Sequence, residues 1–259
     1  MMTSRRQIQE QYRDASNLNA RSAIYRFATS TGPPWPRWVF EQFSPDLPAD
    51  ARVLEIGCGD GALWKKNADR TPARWQVVLC DLSPGMLHSA GGLNFNRLQA
   101  DAARLPIADH TFEAVVANHM LYHVDDRRRA LAEIRRVLKP GGRLYATTNS
   151  NAHMSEMKDL IERFLGERSP LSGPIPFNLE NGEAQLRPFF SRIETRRIGG
   201  ELRVTDPDAV IRYVMSINES QELIVGERFE ELGRIVRERI AAGGAFVCHT
   251  ATGMFIATA

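Results

Sequence analysis

The chain has 259 residues, 43% of them hydrophobic and 25% charged. That is enough apolar material for one α/β domain with decoration, and too much for a disordered, collagen-like or coiled-coil chain. Lys and Arg number 33 against 31 Asp and Glu, a net charge of +2, so no global field draws in nucleic acid or an anionic membrane. No apolar run approaches the ~20 residues of a membrane span, and the polar start MMTSRRQIQEQYRD lacks the apolar middle of a signal peptide. The 3 cysteines, Cys58, Cys80 and Cys248, are widely separated. They form neither a disulfide framework nor a zinc pattern, and no His/Asp/Glu set has metal-ligand spacing. A reduced, soluble, cytoplasmic protein without a metal is expected.

In chain order, Ser4 to Ala28 is polar with apolar residues at helical spacing, which predicts one or two short helices. Gly32-Pro33-Pro34-Trp35-Pro36 breaks them, and Trp38, Val39, Phe40 and Phe43 predict another short helix. From Arg52 strands and helices alternate. Val53 to Ile56 is a short buried strand, Ala62 to Ala68 a helix, and Gln76 to Cys80 a second strand. Ser83 is placed to cap a helix with Pro84 at its first position. Phe95 to Ala100 is a weaker strand and Phe112 to Ala117 a strong one. Asp125 or Asp126 caps a helix with Ala130, Leu131, Ile134, Val137 and Leu138 on its apolar face. Pro140-Gly141-Gly142 ends it before a strand over Arg143 to Thr148.

The pattern then loosens. His153 to Leu165 is predicted helical, Ser169 to Phe177 a loop, and Arg192 to Ile198 and Leu202 to Val204 extended. Thr205 or Asp206 with Pro207 starts a helix through Val214, and a second helix runs from Glu222 to Ala242, where Gly226 offers a break. The end, AFVCHTATGMFIATA, reads as a hairpin about Thr250 to Gly253, which would put one antiparallel strand into the sheet. The alternation predicts a doubly wound, mostly parallel sheet with helices on both faces.

The informative segment is VLEIGCGDGALW, from Val53 to Trp64. A buried strand enters a turn with Gly57, Gly59 and Gly61, and a helix follows, so backbone and helix N–H groups can approach a ligand. The spacing also fits a dinucleotide loop, and Asp81 after the second strand suits a ribose in either case. Glu55 inside the strand and Asp60 in the loop would repel a pyrophosphate but hold a cationic amine. Asp101-Ala102, after the third strand, can accept from an adenine amino group.

VLEIGCGDG, CDLSPGML, ADAARLPIADHTFEAVVANHMLYHV and EIRRVLKPGGRLY, in that order, resemble the successive motifs of class I S-adenosylmethionine-dependent methyltransferases over about Arg52 to Thr148. The resemblance implies a Rossmann-like sheet of about seven strands, the last antiparallel. It implies an N-terminal helical lid over residues 1–48, a methyltransferase domain over 49–259 and a substrate-side insertion around 150–190. It implies S-adenosylmethionine as cofactor: Glu55, Gly57, Cys58 and Gly59 at its methionine end, Asp81 on the ribose, Leu82 and Met86 flanking the adenine, Asp101 and Ala102 at the adenine edge, and Asn118 toward the sulfonium.

On the substrate side, His119, Tyr122 and His123 follow a central strand at the crevice rim and supply imidazoles and a phenol where a proton acceptor is needed. Each has a plainer role as a backbone-bonded rim residue. Asn149, His153, Glu180, Tyr12 and Trp35 are further substrate-facing candidates. Against them stand a helix-start role for His153, a cap role for Glu180 and a core role for the tryptophans. Arg127 to Arg129, Arg135 and Arg136 read as a solvated helix surface rather than a nucleic-acid footprint. The expectation is methyl transfer to an O, N or C nucleophile of a small molecule. An RNA or protein methyltransferase and a NAD(P)-binding oxidoreductase are the alternatives.

Overall fold

In a computed structural model the described residues are 10–29, 32–166, 169 and 174–259. Helix α1 (Ser16–Ser22) is continued by a 3-10 turn at Ala23–Phe27, and α2 is Trp35–Phe43. Then come β1 (Arg52–Ile56), the single turn α3 (Ala62–Lys65), β2 (Gln76–Asp81), α4 (Pro84–Ser89), β3 (Asn96–Gln99) and β4 (Phe112–Asn118). A 3-10 turn at Leu121–His123 precedes α5 (Arg127–Val137), β5 (Leu138–Asn149), α6 (Ser155–Leu165) and α7 (Gly182–Leu186). The rest is β6 (Arg192–Val204), α8 (Pro207–Met215), α9 (Asn218–Leu223), α10 (Glu227–Gly243) and β7 (Phe246–Thr258).

The strands form one seven-stranded sheet in the order β3-β2-β1-β4-β5-β7-β6. β1 to β5 pair in parallel. β7 runs against both neighbours: Gly141 N–H donates to the Ala259 carbonyl and Ser150 N–H to that of Ala251, while Ser191 N–H donates to Thr258. The terminal stretch is therefore one 13-residue strand and not a hairpin. Thr250 to Gly253 has turn-like composition, but pairing on both sides satisfies its backbone, which outweighs local propensity. Two more sequence expectations change in the same way. β5 already begins at Leu138 and runs through Pro140-Gly141-Gly142, and the two extended pieces after Arg192 are one strand. The helix after the glycine loop is a single turn ending at Lys65, not at Ala68.

The predicted caps form. Ser83 Oγ accepts from Met86 N at 3.2 Å, Asp126 Oδ1 from Arg129 N at 3.0 Å and Asp206 Oδ1 from Asp208 N at 2.9 Å. Gly226, at φ 56, separates α9 from α10 where the sequence suggested a break.

By contacts the chain forms two compact units, Met1–Thr31 with Ser150–Ile175 and Ile198–Thr252, and Gly32–Asn149 with Pro176–Arg197 and Gly253–Ala259. The first packs Ile24, Met157, Ile161, Phe164, Val210, Val214, Val236 and Phe246 into one core. The second has a core on each face of its sheet. On one face Leu54, Ile56, Val115 and Ala117 meet α5 through Ala130, Leu131, Ile134 and Val137. On the other Val53, Ala114, Val116 and Tyr145 meet α2 through Val39, Phe40 and Phe43, with Trp64 and Leu87. Alternate residues of β1 and β4 go to opposite cores, as strands buried on both sides require.

Candidate functional site

The chain order β1, β2, β3 runs to one side of the sheet and β4, β5 to the other, so the switch point lies between β1 and β4. Open α/β sheets bind ligands at that crevice, outside the carboxyl ends of the strands. Register fixes which residues arrive there. Ile56 pairs with Cys80 on one side and Ala117 on the other. The next residue on each strand is Gly57, Asp81 and Asn118.

Gly57, Gly59 and Gly61 all have positive φ, at 67°, 55° and 75°. A Cβ on Gly57 would lie 2.6 Å from Met120 Cβ. The loop therefore lies directly against the turn after β4, and only glycine fits. Asp81 ties the notch together: Oδ2 accepts from Gly59 N at 2.9 Å and Oδ1 from Ser83 N at 2.9 Å. Burial raises the Asp81 carboxyl above the ordinary carboxylate range against the lowering effect of these bonds.

Glu55 is 1% exposed, and its Oε2 accepts from Trp64 Nε1 at 2.7 Å. Burial pushes its pKa up to about 8; the Trp64 bond works against that, and Asp81 and Asp60 add to it. Cys58 is buried, its N–H donates to the Cys80 carbonyl at 3.0 Å, and burial raises its thiol. That holds it as a thiol, which suits a small loop residue and not a nucleophile. Met86 is buried and Leu82 half-buried. Ala102 is buried beside half-buried Asp101, whose Oδ1 accepts from Ala103 N at 2.9 Å.

The turn after β4 carries an aromatic row. Trp38 stacks on Trp35 at 5.1 Å, Trp35 tilts against His119 at 5.0 Å, His119 faces Tyr122 at 6.4 Å, and Tyr122 meets His123 edge-on at 4.5 Å. His119 has φ 53, a left-handed conformation costing about 1 kcal/mol for a residue with a Cβ. Its N–H donates to Thr147 Oγ1 at 2.9 Å. Thr147 Oγ1 donates to Asn118 Oδ1 at 2.7 Å, and Trp35 Nε1 donates to the same oxygen at 3.3 Å. Arg127 holds the Leu121–His123 turn from below, with Nη1 on the Val124 carbonyl at 2.8 Å and Nε on Gln185 Oε1 at 2.9 Å.

At the end of β5, Asn149 O accepts from Leu179 N at 3.1 Å, while its buried Oδ1 has no partner among the described residues. Glu180 is exposed in a turn closed by Asn178 Oδ1, and Asn181 precedes α7. Tyr12 and His153 belong to the other unit. There Arg21 lies 5.4 Å over the Tyr12 ring. His153 Nδ1 accepts from Ala251 N at 3.1 Å, its Nε2 lies 3.2 Å from Tyr25 Oη, and burial lowers its pKa to about 4.

The structure thus brings together Glu55, Gly57, Cys58, Gly59, Asp81, Asn118, His119, Tyr122, His123 and Trp35 within one unit. Thr147, Trp64 and Met120 complete the set and were missed. Trp64 sits one turn into the helix after the loop, where an indole donor is a readable signal. Thr147 has no local signature. Two of the arginines, Arg127 and Arg136, also depart from the solvated reading, while Arg128 and Arg129 are exposed. Besides Arg127, Arg136 binds Glu133, Asp109 and the carbonyls of Leu105 and Ile107.

Residues 54–146 match the family model described as a methyltransferase domain. A Teredinibacter turnerae protein named as a ubiquinone/menaquinone biosynthesis C-methyltransferase is 35% identical over 149 residues, covering 54% of this chain and 59% of that one. The chain thus spans about half the length of the curated relatives it matches. Among solved structures, a Haemonchus contortus phosphoethanolamine N-methyltransferase with S-adenosylhomocysteine bound superposes with TM-score 0.59 at 20% identity, covering 97% of this chain and 59% of that one. The [4+2]-cyclase SpnF superposes with TM-score 0.59 at 18% identity, covering 96% and 94%. Sheet order, glycine notch and terminal carboxylates together define the class I methyltransferase fold. Residues 54–146 are similar to a methyltransferase domain, and the fold around them is that of the class I methyltransferases.

Proposed function

We propose that this chain transfers the methyl group of S-adenosylmethionine to a small hydroxylated aromatic acceptor. The fold alone does not fix the reaction, since a cyclase shares it. The observation that carries the reading is the ring of carboxylates about the glycine notch, with Asp81 bonded to Gly59 N and Glu55 buried beside it. Those carboxyls suit a ligand with a diol and an ammonium group, which Glu55 meets by giving up its proton, and they oppose a pyrophosphate. The bound cofactor supplies an electrophilic methyl on a positive sulfur.

The chain's own residues do the rest. Glu55 meets the amino group, and the N–H groups of the loop and of α3 meet the carboxylate. Asp81 takes the ribose hydroxyls, Leu82 and Met86 pack on the adenine, and Asp101 with Ala102 lines its edge. Asn118 stands at the junction of cofactor and acceptor. The aromatic row, led by Trp35, offers faces for a planar ring. His119 is the proton acceptor, with Tyr122 and His123 shaping the same wall. Asn149 Oδ1 awaits a donor from the acceptor. An in-line displacement asks mainly for alignment and exclusion of water, which a wall of rings provides. The names of the curated relatives, C-methyltransferases of ubiquinone/menaquinone biosynthesis, agree with an aromatic substrate.

Calorimetry with S-adenosylhomocysteine tests the notch. Asp81→Ala should weaken binding at least about tenfold, since a charged hydrogen-bonding group is worth roughly 1.5–3 kcal/mol. Unchanged affinity, or a thermal shift with NAD in place of the nucleoside, overturns the reading. Incubation of the protein with methyl-labelled cofactor and a panel of phenols, quinols, amines and RNA identifies the acceptor class.

A further inference from the structure

We infer that Thr147 is a positioning residue whose hydroxyl turns the Asn118 side chain so that its amide nitrogen, a hydrogen-bond donor, faces the methyl acceptor. This rests on the reading above. Thr147 lies on β5 opposite Asn118 of β4 and is fully buried. Its hydroxyl is used twice, donating to Asn118 Oδ1 at 2.7 Å and accepting from His119 N at 2.9 Å. With the Trp35 indole at 3.3 Å, Asn118 Oδ1 receives two donors. An amide held by two donors on its oxygen cannot flip without facing N–H to N–H. The NH2 group has no partner among the described residues, and Asn118 ends β4 level with Gly57 and directly before His119 of the aromatic row. The group presented there is a donor, which selects an acceptor carrying an oxygen lone pair or phenolate next to the reacting atom. The same hydroxyl pins His119 in its left-handed turn, so one buried group sets both residues.

Valine has the shape of threonine and suits a buried strand, so Thr147→Val removes the hydroxyl and little else; Thr147→Ser keeps it. Two readouts apply. In 15N-labelled protein, the Asn118 side-chain amide and the Trp35 indole N–H signals should shift in Thr147→Val and return in Thr147→Ser. With 1,4-naphthoquinol as the acceptor probe, Thr147→Val should lose about tenfold or more in turnover, with affinity for S-adenosylhomocysteine unchanged, and Thr147→Ser should recover most of it. Unmoved signals overturn the proposal, as does full turnover with shifted signals. A fall in cofactor affinity in step with turnover overturns it too, because the hydroxyl would then only support the notch. If the wild-type protein methylates no acceptor, the functional reading falls separately, and the two signals alone decide whether Thr147 holds Asn118.

Discussion

Glu55 is a buried carboxyl bonded to an indole, with two further acids nearby. Its pKa in the folded chain, about 8, is above the ordinary 4.5. A raised acid binds more protons in the folded than in the unfolded state between those values. Its contribution is therefore full at low pH, and stability falls as pH rises from about 4.5 through about 8. A cationic amine beside it reverses the preference, so ligand binding at pH 7 should expel a proton. Calorimetry of S-adenosylhomocysteine binding in two buffers of different ionisation enthalpy should show that release, and Glu55→Gln should abolish it. Gly57 makes the complementary case for shape. At φ 67, with a new Cβ 2.6 Å from Met120 Cβ, Gly57→Ala is strained twice over. It should cost roughly 1–3 kcal/mol, read as a lower Tm, and should lose measurable cofactor binding.

Among the elements, α5 shows what a cap and a clamp contribute. Asp126 satisfies the Arg129 N–H, and Asp126→Ala should cost about 1 kcal/mol in chemical denaturation. At the other end Arg136 binds two carboxylates and the carbonyls of Leu105 and Ile107, fixing the loop between β3 and β4. Arg136→Met should cost more than the cap, because those carbonyls lose their donor. Caps and the glycine loop were legible because their partners lie within a few residues: Ser83 with Met86, Asp126 with Arg129, Cys58 with Gly61. The guanidinium clamps were not, since charge alone does not say which carbonyls a side chain will meet. Thr147 was illegible for the same reason. Its partners, Asn118 and His119, lie 28 or 29 residues away and meet it only through strand register. β7 misled in the opposite direction, its small residues reading as a turn until two neighbouring strands claim its backbone.

For the whole molecule, the alternation of strand and helix gave the parallel sheet and its helices on both faces, because buried parallel strands carry their signature along their length. The division into two units was not in that pattern. The first unit has its own titrating joint. His249 Nδ1 lies 2.5 Å from Glu156 Oε1, with Glu201 at 3.8 Å from Nε2. Glu156 raises the imidazole's pKa first through its hydrogen bond and then through its charge. A raised base stabilises fully below its unfolded value of 6.5 and stops doing so as pH climbs through its folded value. Amide protection at Met154, whose N–H bonds the His249 carbonyl, should therefore decline as pH rises above 6.5, after correction for intrinsic exchange. His249→Gln should flatten that profile.

Each unit is assembled from three stretches of chain, and the boundaries fall inside β6 and β7, between Arg197 and Ile198 and between Thr252 and Gly253. Neither body can be excised by trimming an end, because a terminal deletion long enough to remove all of one also removes ordered parts of the other. Autonomy would have to come from rewiring: joining Asn149 directly to Pro176, and Arg197 to Gly253, would leave the sheet-bearing body as one continuous polypeptide.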